Sequence, residues 1–192
     1  MKKGTILLLA IIAVVVLCGV NVYNNMVSHD EAVTKAWANV ESQYQRRADL
    51  IPNLVATVKG YAAHESETLQ AVTDARAKAT SISVDGNMTA EQFQQYQAAQ
   101  NEVTGALGRL IAIAENYPDL KANQNFLELQ AELEGTENRI AVERQNFNTA
   151  AKTYNTYIRR FPQTLFASIF GFDKKDYFEA EAGSEKAPTV EF

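Results

Sequence analysis

The sequence predicts an all-α protein, a single N-terminal transmembrane helix followed by an antiparallel bundle of long helices. Three observations carry this. The run Gly4–Val20 is apolar, and no charged side chain follows Lys3 until His29-Asp30-Glu31. Three later segments repeat apolar residues at steps of three and four, the spacing of one helix face. The chain of 192 residues holds only 9 glycines and 4 prolines, and no strand pattern exceeds a few residues, so little in it opposes helix.

The apolar run comes first. Backbone amides must be paired in hydrocarbon, so a spanning segment is helical. At about 1.5 Å per residue the run reaches roughly 25 Å by Val20, and it becomes long enough for a bilayer by Val22 or Met26. Lys2 and Lys3 precede it and no further cation occurs before Lys35, so the positive-inside rule places the N-terminus in the cytoplasm and the bulk of the chain outside. The expected location is the inner (plasma) membrane, single-pass, with the bulk periplasmic or extracytoplasmic. Two alternatives are a cleaved signal peptide and a lipidated Cys18. Neither has good flanking residues: no Ala-x-Ala motif follows the run, and bulky Leu17 precedes the cysteine. Cys18 is the sole cysteine, so no intramolecular disulfide can form.

The first arm covers residues 28–80. Ser28-His29-Asp30-Glu31 matches a capping box and either opens a new helix or lies within one continuous with the span. Val33, Trp37, Val40, Tyr44, Ile51, Leu54, Val58, Ala62, Leu69 and Val72 form the apolar stripe. Pro52 interrupts it and predicts a kink or break near Asp49, with Arg47, Asp49 and Asn53 placed to satisfy the backbone groups that the proline frees. Thr80–Asn87 is a linker of turn-forming residues.

Thr89-Ala90-Glu91-Gln92 is a second capping box, and Phe93, Tyr96, Gln100, Val103, Leu107, Leu110 and Ala114 make the stripe of the helix it opens. That helix stops at Tyr117-Pro118. Asp119 is placed to cap the third helix. Its stripe of Phe126, Leu129, Leu133, Glu137, Ile140, Arg144, Phe147, Ala151, Tyr154, Ile158 and Phe161 is the longest in the chain. Asn148 and Asn155 lie seven apart on one face, where they would fix register or partner number. Pro162 ends the stripe. A short, very apolar segment through Leu165, Phe166, Ile169 and Phe170 stops at Gly171 and is expected to pack over the bundle end, membrane contact being the alternative. The boundaries are therefore 1–27 for the anchor, 28–172 for the bundle and 173–192 for an acidic irregular tail, whose last residues, Val190-Glu191-Phe192, could dock on the bundle or a neighbour.

Without Lys2 and Lys3 the chain carries 16 basic against 23 acidic residues, a formal charge of −7. That argues against nucleic-acid binding, which needs a basic stripe, and against lying flat on anionic lipid. His29 and His64 are the only histidines, with no second histidine or cysteine at ligand spacing and no Glu-x-x-His, so no metal site is expected. No phosphate loop, Gly-x-Ser-x-Gly or kinase signature occurs. No catalytic and no cofactor-binding residue is assigned, and no cofactor is expected.

Several segments jointly resemble one family. They are Ala36-Trp37, Gln45-Arg46-Arg47-Ala48-Asp49-Leu50-Ile51-Pro52-Asn53-Leu54-Val55, Val58-Lys59-Gly60-Tyr61-Ala62-Ala63-His64-Glu65, Glu115-Asn116-Tyr117-Pro118-Asp119-Leu120-Lys121-Ala122, Phe147-Asn148, Tyr154-Asn155 and Phe161-Pro162. In these the chain resembles the LemA family. The resemblance implies one membrane helix and a domain of long antiparallel helices. It implies no agreed reaction or ligand and carries over no catalytic residue.

The expected function is a non-enzymatic, membrane-anchored scaffold in the cell envelope, self-associating or binding another envelope protein. The expected partners are the membrane, further copies of the chain as a homo-oligomer, and an envelope protein. The alternative is an enzyme or accessory factor in envelope proteolysis or quality control, for which His64, Glu65 and Glu115 brought together by folding are the only candidate chemistry.

Overall fold

The structure, a computed structural model, describes residues 3–82 and 88–179. Among the described residues six α-helices follow in order, α1 Lys3–Tyr61, α2 Ser66–Ser81, α3 Ala90–Ala114, α4 Pro118–Lys121, α5 Gln124–Ile158 and α6 Gln163–Phe170; most of the expected linker Thr80–Asn87 and the expected docking of Val190-Glu191-Phe192 lie outside the described residues. Among the described residues every regular element is helical.

α1 dominates the molecule. Its 59 residues are unbroken, so the helix is about 88 Å long. Residues 4–18 are exposed all round, and the apolar stretch is long and hydrophobic enough to cross a membrane. From Val22 onward the same helix buries a stripe through Met26, Val33, Trp37, Val40, Tyr44, Ile51, Leu54 and Val58. Ser28–Glu31 therefore lies inside a continuous helix and caps nothing.

Of the expected kink or break at Pro52, the break does not occur: α1 continues through it and the chain turns at 62–65 instead. Proline has no N–H, so the carbonyl of Ala48 loses its helical donor. Arg76 of α2 supplies one: its Nε donates to Ala48 O at 2.7 Å. Arg47, Asp49 and Asn53 do not repair the site. Asp49 accepts from Gln45, Thr57 donates to the Asn53 carbonyl, and Arg47 points into the core. Replacing Arg76 by Met should cost about 1–3 kcal/mol, the penalty for an unpaired buried acceptor. In a Pro52→Ala background the restored N–H pairs with Ala48, so the same change should cost much less. Equal costs in the two backgrounds, measured by denaturant unfolding, would show that Arg76 acts elsewhere.

α1 and α5 run antiparallel, as the paired positions Tyr61 with Asn123, Arg47 with Glu137, and His29 with Tyr157 require. α2 folds back along α1, and α3 returns parallel to α1. The Thr89 capping box forms as expected: Gln92 N donates to Thr89 Oγ1 at 3.2 Å and Thr89 N to Gln92 Oε1 at 2.9 Å. α5 is capped by Asn123, whose Oδ1 accepts from Phe126 N at 3.0 Å, and not by Asp119, which sits in the short α4. Gly171 ends α6 with φ 74°, the left-handed conformation that glycine adopts without a Cβ clash.

Two cores result. The far core packs α1, α2, α3 and α5 around Ile51, Leu54, Val72, Val103, Leu107 and Leu110. The near core, on the side of the exposed apolar stretch, packs α1 and α5 around Trp37, Phe147 and Tyr154, with only the first turns of α3 reaching it. The bundle thins from four helices toward two, and α6 and segment 172–179 cover the faces left open.

Candidate peptide groove

Segment 172–179 carries no helix, yet it is seated. Two asparagines of α5 bracket its backbone. Asn155 Nδ2 donates to Lys175 O at 2.8 Å, and Asn155 Oδ1 accepts from Lys175 N at 2.9 Å. Asn148 does the same with Phe178, at 2.9 Å to its carbonyl and 2.8 Å from its N–H. Each side-chain amide thus replaces a neighbouring strand, reading backbone and not side chain. The spacings match physically. Seven helical residues rise about 10.5 Å, and three extended residues span about 10 Å, so an Asn-x6-Asn face fits residues three apart on a nearly extended chain running antiparallel to α5.

Side chains complete the hold. Phe178 stacks on Trp37 at 5.9 Å between ring centroids and meets Phe93 at 4.9 Å and Phe147 at 5.3 Å. The Arg144 guanidinium lies 4.8 Å from the Phe178 ring and, like Gln97, donates to Glu179 O at 3.0 Å. Lys175 pairs with Asp30 of α1 at 3.0 Å, and Tyr177 Oη accepts from Asn155 at 2.9 Å. A cavity of about 340 Å³ runs beneath the segment, with Asp30, Trp37, Phe93, Phe147 and Tyr154 in its wall. Burial, reinforced by Asp30 and Asp173, raises the pKa of Tyr154, keeping the phenol neutral. Asn148 and Asn155 were legible as polar residues on one helix face; their partner, 20 to 30 residues downstream, was not.

A second polar site lies between the two cores. Arg47 is 2% exposed and donates to Thr104 Oγ1 and Glu137 Oε1 at 2.8 Å each, and to Gln100 O and Oε1 at 3.1 and 2.7 Å. Its four contacts join α1, α3 and α5.

The candidate chemistry of His64, Glu65 and Glu115 does not converge. Glu65 accepts from Tyr117 Oη at 2.9 Å, which raises the pKa of that phenol. Glu115 pairs with Lys121, and His64 is exposed in the turn after α1. Among the described residues no group of three or more His, Cys, Asp or Glu side chains is arranged to hold a metal ion.

These features define an all-α bundle carried on a helix able to cross a membrane, with a backbone-reading groove filled by its own downstream segment. The chain belongs to the LemA family, whose model matches residues 36–192. It is similar to the magnetosome proteins MamQ 1 and MamQ 2 of Paramagnetospirillum magneticum, each 29% identical over 182 residues, covering 85% of this chain and 66% of the relative. MamQ of Magnetospirillum gryphiswaldense is 31% identical over 181 residues, covering 84% and 66%. Protein LemA of Metamycoplasma hominis is 28% identical over 138 residues, covering 72% and 60%. The chain thus spans 60–66% of the length of these relatives.

Proposed function

We propose that this protein is a non-enzymatic, membrane-anchored scaffold of the cell envelope that self-associates through its groove. The first 20 or so residues of α1 cross the bilayer, and the same helix carries the bundle into the aqueous space beyond. The observation that carries the reading is the double asparagine clamp on segment 172–179. A groove that holds backbone by side-chain amides and one aromatic side chain by a ring cluster is a peptide-binding device. Its occupant here belongs to the same chain; because α6 ends at Phe170, exchange with a neighbouring copy moves α6 and the segment together, hinged at residues 159–162, and remakes the same contacts. Anchoring raises local concentration in the membrane plane, so modest contacts suffice for exchange between copies.

The test uses full-length protein carrying two different affinity tags on two co-expressed populations, with a photo-crosslinking amino acid at the exposed Tyr177. Irradiation of membranes should give adducts bearing both tags, and Asn148→Ala with Asn155→Ala should remove them. Adducts confined within single chains, or joined only to other proteins, together with a strict monomer in detergent, would overturn the reading.

A further inference from the structure

We infer that α6, with the preceding Phe161, is an interfacial helix whose outer apolar face rests in the lipid layer where α1 leaves it. The inference rests on the reading of the first part of α1 as a membrane span. Packing over the bundle end, the sequence expectation, accounts for only one side of this helix. Ala167 is buried and Phe166 half-buried, but Phe161 is 80% exposed, Ile169 73%, Leu165 56% and Phe170 49%. These values match those of Ile6–Leu17 in the apolar stretch. Other large exposed apolar side chains beyond Tyr23, such as Leu127 and Val142, lie far apart along the chain. A clustered apolar surface of this kind marks an interaction face.

Its position says what covers it. α6 is pinned to α1 between Gly19 and Tyr23. Phe166 lies against Gly19 so closely that a Cβ there would sit 3.1 Å from its ring. The Tyr23 ring meets Phe170 at 5.0 Å and Phe172 at 5.7 Å. Twenty helical residues counted from Lys3 end at Val22 after about 30 Å, the thickness of a hydrocarbon core. The Gly19–Tyr23 level is therefore the edge of that core, where a tyrosine is favoured. Leu165 and Ile169 lie one turn apart on one stripe, and Thr164 and Ser168 occupy the adjacent one, so α6 is amphipathic. Arg159, Arg160 and Lys174 flank it and are exposed. Beside Asp173, these long cationic side chains can reach from the helix ends to lipid phosphates. The apolar surface of α1 thus continues onto α6, and the occupant of both is lipid.

Single-cysteine variants of the full chain, on a Cys18→Ala background, carry a nitroxide at Leu165, Ile169, Val15 or Glu128 in vesicles of phosphatidylethanolamine and phosphatidylglycerol. Labels at Leu165 and Ile169 should collide more with oxygen than with an aqueous nickel chelate, as the one at Val15 does. The label at Glu128, at the far end of α5, should do the reverse. Val15 in lipid with Ile169 in water overturns the α6 inference alone; Val15 in water overturns the span on which it rests. A label at Ile169 shielded from both probes identifies protein in place of lipid on this face and also overturns the inference.

Discussion

Replacing Phe178 with alanine is expected to release segment 172–179 and shift the emission of Trp37 to longer wavelength. Trp37 is the only tryptophan, and its indole lies flat against the Phe178 ring, 9° from parallel. Truncating a buried phenylalanine costs about 3–5 kcal/mol. The remaining hold is the four neutral hydrogen bonds of the asparagine clamps, worth about 1 kcal/mol each, with the Lys175–Asp30 pair and the Arg144 bond to Glu179 O, partly opposed by the entropy of ordering the segment. The aromatic contacts are therefore a large share of what seats the segment, beside the asparagine clamps. At about 1.4 kcal/mol per factor of ten, their loss raises the open population between roughly a hundredfold and a few thousandfold. Hydrogen exchange at the Lys175 and Phe178 amides reads that change directly, because opening is local and leaves the far core folded. Unchanged exchange and unchanged emission would mean that the asparagines alone hold the segment.

Arg47→Ala should lower the stability of the whole bundle by about 3–5 kcal/mol, seen as a lower denaturant midpoint with an unaltered slope. That is a large part of the 5–15 kcal/mol typical of a folded domain. The loss has two sources. A cavity opens between the two cores, and the side chain of Gln100, itself buried, loses the donor to its Oε1. Glu137 is one-third exposed and can turn to water, which limits its share. Arg47→Lys should recover little, since one ammonium cannot fork to Gln100 on one side and to Thr104 and Glu137 on the other. Replacing Arg47, Gln100 and Glu137 together by leucine should recover most of the loss, because it removes the demand as well as the supply.

Much of the fold was legible before the structure. Periodicity located the buried stripes of α1 and α3 closely and most of that of α5, where Phe161 instead lies beyond the helix and is exposed, since a helix surrounded by others buries one face and its spacing records which. Local signals also served where local chemistry decides: Thr89 with Gln92, and Gly171. The failures share a cause. α1 continues through Pro52, and the carbonyl of Ala48 that the proline orphans takes a donor from Arg76, 28 residues further along the chain. Arg47 looked like local repair beside a proline and is instead the hub of a network reaching Thr104 and Glu137. Asn148 and Asn155 were visible as a polar face, but the segment they clasp has no periodicity of its own to announce it. The exposure of Leu165, Ile169 and Phe170 was not legible either, because apolar composition alone does not say which side of a short helix is covered.

The unbroken course of α1 through residue 52 makes the molecule a lever. About 60 Å of rod extend past Val22, so a change of roughly 10° in the inclination of residues 3–22 sweeps the distal tip through about 10 Å. Bilayers of different thickness impose different inclinations on a helix of fixed length. In the membrane-spanning arrangement proposed above, membrane thickness would set the height and attitude of the far core, and neighbouring molecules in one patch of lipid would lean alike.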